Sequence, residues 1–166
     1  MTIPKESLYL SKVLGVGRIA EHSENTHIRS YAAEGADVEF GHAVMDGTNP
    51  EKQIKLYASS SGKFRGVAGY STDASELDTS LFAAGDAVPV IDSGVVTVYT
   101  EEAISDISSD AVRVRHDSAG PGNFCKTAVA GETVLISTGA EWRSEGASGT
   151  GVKLFLNPPF AITADT

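Results

Sequence analysis

One short motif recurs three times along the chain, as Ala84-Gly85-Asp86-Ala87-Val88-Pro89-Val90, Ser108-Ser109-Asp110-Ala111-Val112-Arg113-Val114 and Ala130-Gly131-Glu132-Thr133-Val134-Leu135-Ile136. Each copy has small, turn-forming residues, then an acid, then apolar residues two positions apart. The acid of such a turn can accept a hydrogen bond from a nearby backbone N–H, and apolar residues two apart lie on one face of a strand. The motif therefore predicts three turns that each set the register of a half-buried strand, with acids that are structural rather than catalytic.

Short strands separated by turns are predicted on both sides of the motif. A hairpin is expected between residues 87–91 and 95–99, because Asp92-Ser93-Gly94 between them is typical of a tight turn. Pro89 cannot donate to a ladder, which predicts an edge or a bulge there. Another hairpin is expected around the turn-rich residues 46–50. About nine to twelve such strands and at most short helical turns predict an all-β antiparallel sandwich or barrel.

The chain of 166 residues, 41% of them hydrophobic, is long enough for one domain with its own core. We expect an extended N-terminal arm over residues 1–14, a single β domain over 15–157 and a C-terminal tail over 158–166. The last strand, residues 152–156, is expected to end at Asn157-Pro158-Pro159, because proline cannot continue a ladder.

Charge and composition argue against several partners. The net charge of −9 and the absence of a basic cluster predict that the protein does not bind nucleic acid. No run approaches the roughly 18 apolar residues of a membrane span, so we expect a soluble protein without a signal peptide or a membrane partner. The single Cys125 excludes an intrachain disulfide and is interpreted as a half-buried structural thiol in a protein that folds in a reducing compartment.

No residue pattern predicts an enzyme, a cofactor or a metal site. Gly15-Val16-Gly17-Arg18-Ile19-Ala20 fits a dinucleotide-binding pattern, with Asp37 at about the distance of a ribose-binding acid. The residues that follow, 21–27, are polar throughout and lack the apolar stripe of the helix that such a site needs. The four histidines have no metal-ligand spacing. Neighbouring Glu101 and Glu102 point to different sides of a strand and are not a general acid–base pair.

Apolar residues near the two ends, and the single tryptophan, are the candidates for contacts with a neighbouring molecule. Trp142 is also open to two other interpretations, as a core residue or as a platform that stacks on a sugar ring. The interface candidates are Leu8, Tyr9, Leu10, Trp142, Phe160 and Ile162.

An ordered series of segments runs through most of the chain. The segments are Gly17-Arg18-Ile19-Ala20, Ile28-Arg29-Ser30-Tyr31, Ala33-Glu34-Gly35, residues 38–44, 64–68, 84–90 and 94–98, and the ending from Gly139-Ala140-Glu141-Trp142 to Leu156. None of these segments is specific alone, but in their order, from about Gly15 to Leu156, they resemble the structural cement (capsid decoration) proteins of tailed bacteriophages.

The resemblance implies a jelly-roll-like or barrel-like, non-enzymatic protein that binds the outside of the phage head and bridges adjacent major capsid subunits. It implies a homotrimer, with a dimer as the alternative, made in the host cytoplasm and located on the outer surface of the virion. A carbohydrate-binding or head-fibre adhesion module remains the alternative. That alternative requires Trp142 and tyrosines such as Tyr57 or Tyr99 to be exposed on one face.

Overall fold

A computed structural model describes residues 16–21, 25–35, 38–71 and 81–166. Within these ranges the chain forms strands and no helix, which confirms the all-β prediction. Most strand pairs are antiparallel, but β2 with β5 and β8 with β10 are parallel. The strands are β1 (Ile19–Glu21), β2 (His27–Ala33), β3 (Val38–Glu39), β4 (Ala43–Asp46), β5 (Gln53–Leu56), β6 (Phe64–Ala68), β7 (Leu81–Phe82), β8 (Ala87–Thr100), β9 (Arg113–Arg115), β10 (Phe124–Cys125), β11 (Thr133–Trp142) and β12 (Thr150–Ala164).

Strand β8 is shared by two closed rings of strands. Its residues 87–93 pair with β2, and its residues 94–100 pair with β12. The first ring runs β8-β2-β5-β4-β6 and returns to β8. The second ring runs β8-β12-β11-β9-β10 and also returns to β8. The predicted barrel is thus present as two small barrel-like rings with a strand in common.

The predicted hairpin at Asp92-Ser93-Gly94 is wrong, because β8 continues through these residues as one strand. Gly94 has a φ of +109° at the point where the pairing changes from β2 to β12, so it marks a change of partner and not a reversal. The turn-forming side chains bind an earlier segment of the chain. Asp92 contacts His27 at 2.7 Å, and the Ser93 hydroxyl donates to the carbonyl of Asn25 at 2.7 Å.

The strand that contains Pro89 is also not at an edge, since it lies between β2 and β6. The carbonyl of Pro89 accepts from the N–H of Gly69 at 2.6 Å, just beyond the end of β6 at Ala68. The missing N–H of Pro89 therefore falls where the β6 ladder stops, which is how an interior strand accommodates the proline.

Two clusters of buried side chains fill the fold. The smaller cluster lies in the first ring and includes Tyr31, Val44 and Phe82. The larger cluster includes Val96, Val114 and Leu154 of the second ring, together with residues of β4 and β6. Successive side chains of β4 alternate between the clusters, because neighbouring residues of a strand point to opposite faces. Strand β4 is therefore buried on both faces and packs the rings against each other.

The predicted hairpin around residues 46–50 is confirmed, since β4 and β5 pair antiparallel across that turn. The predicted end of the last strand at Asn157 is wrong, because β12 runs to Ala164 along β11. Pairing passes from Ala140 with Leu156 to Thr138 with Ala161, so residues 157–160 form a bulge. Pro158 and Pro159 lie in this bulge, where a residue that cannot donate an N–H to the ladder is tolerated.

The acids of the repeated motif have structural roles, and a strand follows each of them. Asp86 accepts from the N–H of Ala83 at 2.9 Å, and Asp110 accepts from the N–H of Ser105 at 2.9 Å. Glu132 differs, because it accepts from the guanidinium of Arg115 at 3.2 Å.

Candidate interaction surfaces

The six predicted interface residues occupy three different settings. Leu8, Tyr9 and Leu10 lie outside the described residues. Trp142 is in the larger core cluster, with only 3% of its surface exposed. Phe160 and Ile162 lie on β12 and pack partly against the same cluster.

The burial of Trp142 decides between its interpretations, in favour of a core residue. Its indole N–H donates to the carbonyl of Ala111 at 3.3 Å, and its ring meets the ring of Phe124 edge to face at 6.4 Å. Tyr57 is fully buried, and Tyr99 is half-buried and stacks on His42. These aromatic rings do not form the exposed platform that a sugar-binding module requires.

Phe160 anchors the bulge of β12 to the first ring. Its ring meets the ring of Phe64 on β6 edge to face, at 4.8 Å between centroids. Gly139, opposite the bulge on β11, has a φ of +89°, and a Cβ atom there would lie 2.9 Å from the carbonyl oxygens of Asn157 and Pro159. The bulge therefore requires glycine at this position, since any larger residue would displace it.

Ile28 and Ile107 are the large hydrophobic residues with exposed side chains in the described part of the chain, each with 46% of its surface accessible. Ile28 is on β2 of the first ring, beside His27 and Arg29. Both neighbours pair with Asp92, at 2.7 Å for His27 and 3.7 Å for Arg29. The apolar side chain of Ile28 is thus presented on a strand whose polar neighbours are held in place.

Ile107 stands at the tip of a turn that precedes β9 of the second ring. The Asp106 carboxylate accepts from the N–H and the hydroxyl of Ser108, at 2.9 and 2.6 Å. These bonds to Ser108, together with bonds to Ser109, lower the pKa of Asp106 to about 2, so it is charged at neutral pH. Ile107 is not among the predicted interface residues, although an isolated isoleucine between Asp106 and two serines is a recognisable signal of an apolar residue on a polar turn.

Three basic side chains and several acids form a network at the β9–β10 end of the second ring. Arg115 contacts Glu101 at 2.7 Å, Glu132 at 3.2 Å and Asp117 at 3.5 Å. Arg113 pairs with Asp165 at 3.2 Å, and Lys126 pairs with Asp110 at 3.3 Å. Most of these groups are less than a third exposed, so the charges pair with one another within the ring and do not form an open charged surface.

Chemically reactive groups do not converge in the described residues. Cys125 is 1% exposed, and burial, together with the nearby Glu101 and Glu102, raises the pKa of its thiol to about 12. Among the described residues, no cluster of His, Cys, Asp and Glu has the arrangement of a metal site. The glycine pattern around Gly17 leads into strand β1 and not into a helix, which is the wrong context for a dinucleotide. Nowhere in the described part of the chain is there a helix that is long and apolar enough to cross a membrane.

Comparisons with known proteins give a match in sequence and a similarity in fold. A family model described as structural cement protein (E217 gp24/Pam3 gp6) matches residues 9–157. A chain from the capsid of Myoviridae phage XM1 is similar in fold, with a TM-score of 0.65 and 17% identity over 87% of this chain and 91% of that chain. The N base of head fiber gp8.5 of bacteriophage phi29 reaches a TM-score of only 0.45 at 11% identity, over 80% of this chain and 94% of that chain. No curated protein matches the sequence.

Proposed function

The chain belongs to the phage structural cement family and is a virion structural protein, and on that premise we propose that it binds the outside of the head and bridges adjacent major capsid subunits. It would act by binding and not by catalysis. The match of the family model to residues 9–157, most of the chain, is the observation that carries the proposal.

The two-ring architecture supports a bridging role. A protein that holds two capsid subunits together needs at least two contact regions on one rigid body. Among the described residues, Ile28 lies on the first ring and Ile107 on a turn of the second, so each ring presents an exposed large apolar side chain. Packing of the rings through β4 fixes these two contacts relative to each other. Single exposed isoleucines are ordinary on protein surfaces, so we propose them as capsid contacts because the chain belongs to the cement family.

The charge of the protein supports a position on the outer surface. At a net charge of −9, it would be repelled by packaged DNA inside the head. On the outside, many copies bind one head, so a modest affinity at each contact adds up to a large stabilisation of the shell. We further propose self-association on the head, as a trimer or a dimer, with Leu8, Tyr9 and Leu10 of the arm reaching a neighbouring subunit.

Binding to heads that lack the protein tests the bridging contacts. Ile28→Ser and Ile107→Ser should each weaken binding by roughly five- to tenfold, because each removes about 1 kcal/mol of buried apolar contact. Either variant should also reduce the protection of heads against heat, since a bridge fails when one end is lost. Ile28→Val and Ile107→Val, which keep an apolar side chain, should behave like the wild type. Unchanged binding and unchanged head stability for the double serine variant would refute the role of these contacts.

A further inference from the structure

Several strands in the described part of the chain have a side without a strand partner, and the edges of β2 and β12 are two of them. On β2, the side away from β8 is paired with β5 only at Ala32 and Ala33. On β12, the side away from β11 is paired with β8 only over residues 150–156, so residues 157–164 have one open side. Open edges are templates for pairing with another chain, and natural proteins usually protect them with charges or proline.

The edge of β2 carries that protection. His27 and Arg29 flank Ile28, and the side chains of both are about half exposed or more, at 49% and 58%. Both also contact Asp92 of β8, on the paired side of β2, at 2.7 and 3.7 Å. An incoming strand would have to desolvate them, so this edge resists strand addition.

The edge of β12 has no such protection beyond its two prolines. Residues 154–164 contain no Asp, Glu, Lys or Arg. The acid that follows, Asp165, is turned away from the edge, because its carboxylate contacts the guanidinium of Arg113 at 3.2 Å and the hydroxyl of Thr133 at 2.6 Å. Its side chain is only 13% exposed. Residues 160–164 are thus an uncharged edge on a protein of net charge −9.

Backbone geometry shows which groups of this edge are open. The N–H of Ile136 donates to Val112, on the side away from β12, at 2.9 Å. Ile136 lies opposite Ile162, which is therefore a non-hydrogen-bonded pair of the β11–β12 ladder. The N–H of Asp165 donates to the carbonyl of Thr133 at 3.2 Å, so Asp165 and Thr133 are a hydrogen-bonded pair. Hydrogen-bonded and non-hydrogen-bonded pairs alternate along the ladder, so Ala164 and Val134 are again a non-hydrogen-bonded pair. Ile162 and Ala164 consequently direct their N–H and C=O groups to the open side.

We propose that a second copy of the chain pairs with this edge, antiparallel, about a two-fold axis. A two-fold axis places the β12 edge of one copy against the β12 edge of the other, so the outward N–H and C=O groups of the two copies can bond to each other. Two molecules of charge −9 repel each other over most of their surfaces, and residues 160–164 offer a contact without like charges. The contact makes a dimer or joins two larger assemblies. It rests on the self-association proposed above, and the high local concentration of copies on a head would favour it.

The test removes one outward N–H without changing the fold. Ala164→Pro deletes the N–H of an exposed residue and leaves the bonds of its neighbours to β11 in place. Ala164→Ser keeps the N–H and is the matched control. Ala164→Lys adds the charge that protects natural edges and is the second variant. Self-association of the isolated proteins is measured by analytical ultracentrifugation over a concentration series, with circular dichroism to confirm folding.

We expect Ala164→Pro and Ala164→Lys to weaken self-association at least about tenfold, because the two-fold axis doubles each loss, and Ala164→Ser to match the wild type. Binding to decoration-free heads, measured below the concentration of self-association, should be unchanged in all of them. A wild type that stays monomeric at high concentration would overturn the pairing, as would a proline variant that associates like the wild type. If the wild type is monomeric and binds heads, but Ala164→Pro does not bind them, the edge pairs with a strand of the capsid and not with a second copy. Failure of every form, wild type included, to bind heads would count against the proposed function and not against the pairing.

Discussion

The first ring closes where β6 meets β8, and the second ring closes where β10 meets β8, with different chemistry at each place. In the first ring, the backbones approach closely at Gly66, where a Cβ atom would lie 2.4 Å from the carbonyl oxygen of Ile91. Two residue pairs, Val67 with Ile91 and Ala68 with Val90, complete this closure. Backbone contact, made possible by a missing side chain, holds the first ring shut.

In the second ring, charged side chains supply most of the contacts that hold β10 against β8. Only Phe124 pairs with Thr100 between β10 and β8. The Glu102 carboxylate, just after β8, accepts from the N–H groups of Lys126 and Thr127 at 2.8 and 2.9 Å, just after β10. Arg115 of β9 reaches back to Glu101, 14 residues earlier, at 2.7 Å.

The difference follows from strand length. Strands β9 and β10 have three and two residues, so they offer few ladder hydrogen bonds. Charge-assisted hydrogen bonds, at about 1.5–3 kcal/mol each, can replace several missing neutral bonds in such short strands. The first closure should therefore be sensitive to side-chain volume, and the second closure to charge and pH.

Adding a methyl group at the first closure should have the largest effect on stability. We expect Gly66→Ala to cost about 3 kcal/mol or more, because the new Cβ atom would push against the backbone of β8 at a φ of +147°. Urea unfolding measures this cost. The matched control is Gly85→Ala, at a φ of +92° with no atom within 4 Å of the new Cβ, which should lose only about 1 kcal/mol. Equal losses in the two variants would show that close approach does not hold the first ring.

Local sequence signals predicted the class of the fold and failed where distant residues intervene. The turn at residues 46–50 acts within its own hairpin, so its prediction is confirmed. The Asp92-Ser93-Gly94 signal is equally strong, but Asp92 binds His27, 65 residues away, and the chain does not reverse. Pro158 and Pro159 do not end β12, because Gly139 on another strand makes room for their bulge.

The candidate surface was harder to predict for the same reason. Hydrophobic residues such as Trp142 and Ile107 differ in exposure only because of long-range packing, which buries the first to 3% and leaves the second at 46%. Residue type alone favoured the tryptophan. The neutral edge at residues 160–164 is visible in the sequence as a run without charge, but its open side depends on which strands pair with β12.

Removing the central cation of the second closure should have an intermediate effect. Arg115→Met leaves Glu101, Asp117 and Glu132 without their shared partner, and the Arg115 side chain is only 19% exposed. We expect a loss of about 2 kcal/mol in urea unfolding at neutral pH. Lys153→Met is the control, because its pair with Glu21 is exposed at 43% and 58% and should contribute less than about 0.5 kcal/mol. A loss at Lys153 as large as that at Arg115 would contradict a special role for the network.

Neutralising Glu102 should have the smallest effect, and one that depends on pH. Burial of Glu102 disfavours its charge, but the N–H groups of Lys126 and Thr127 outweigh burial and lower its pKa from the ordinary 4.5. A lowered pKa adds stability that is fully present above about pH 4.5 and is lost as the pH falls through the native value. Glu102→Gln should thus cost about 1 kcal/mol at pH 7, from the charged part of its hydrogen bonds, and progressively less as the pH falls from 4.5 through the lowered native pKa, because the wild-type carboxyl then becomes protonated itself. Gly66→Ala should lose the same amount at every pH, because its closure involves no titrating group. Urea unfolding of both variants over a descending pH series therefore separates the two closures, and a cost of Glu102→Gln that does not decrease with pH would show that the second ring is not closed by charge.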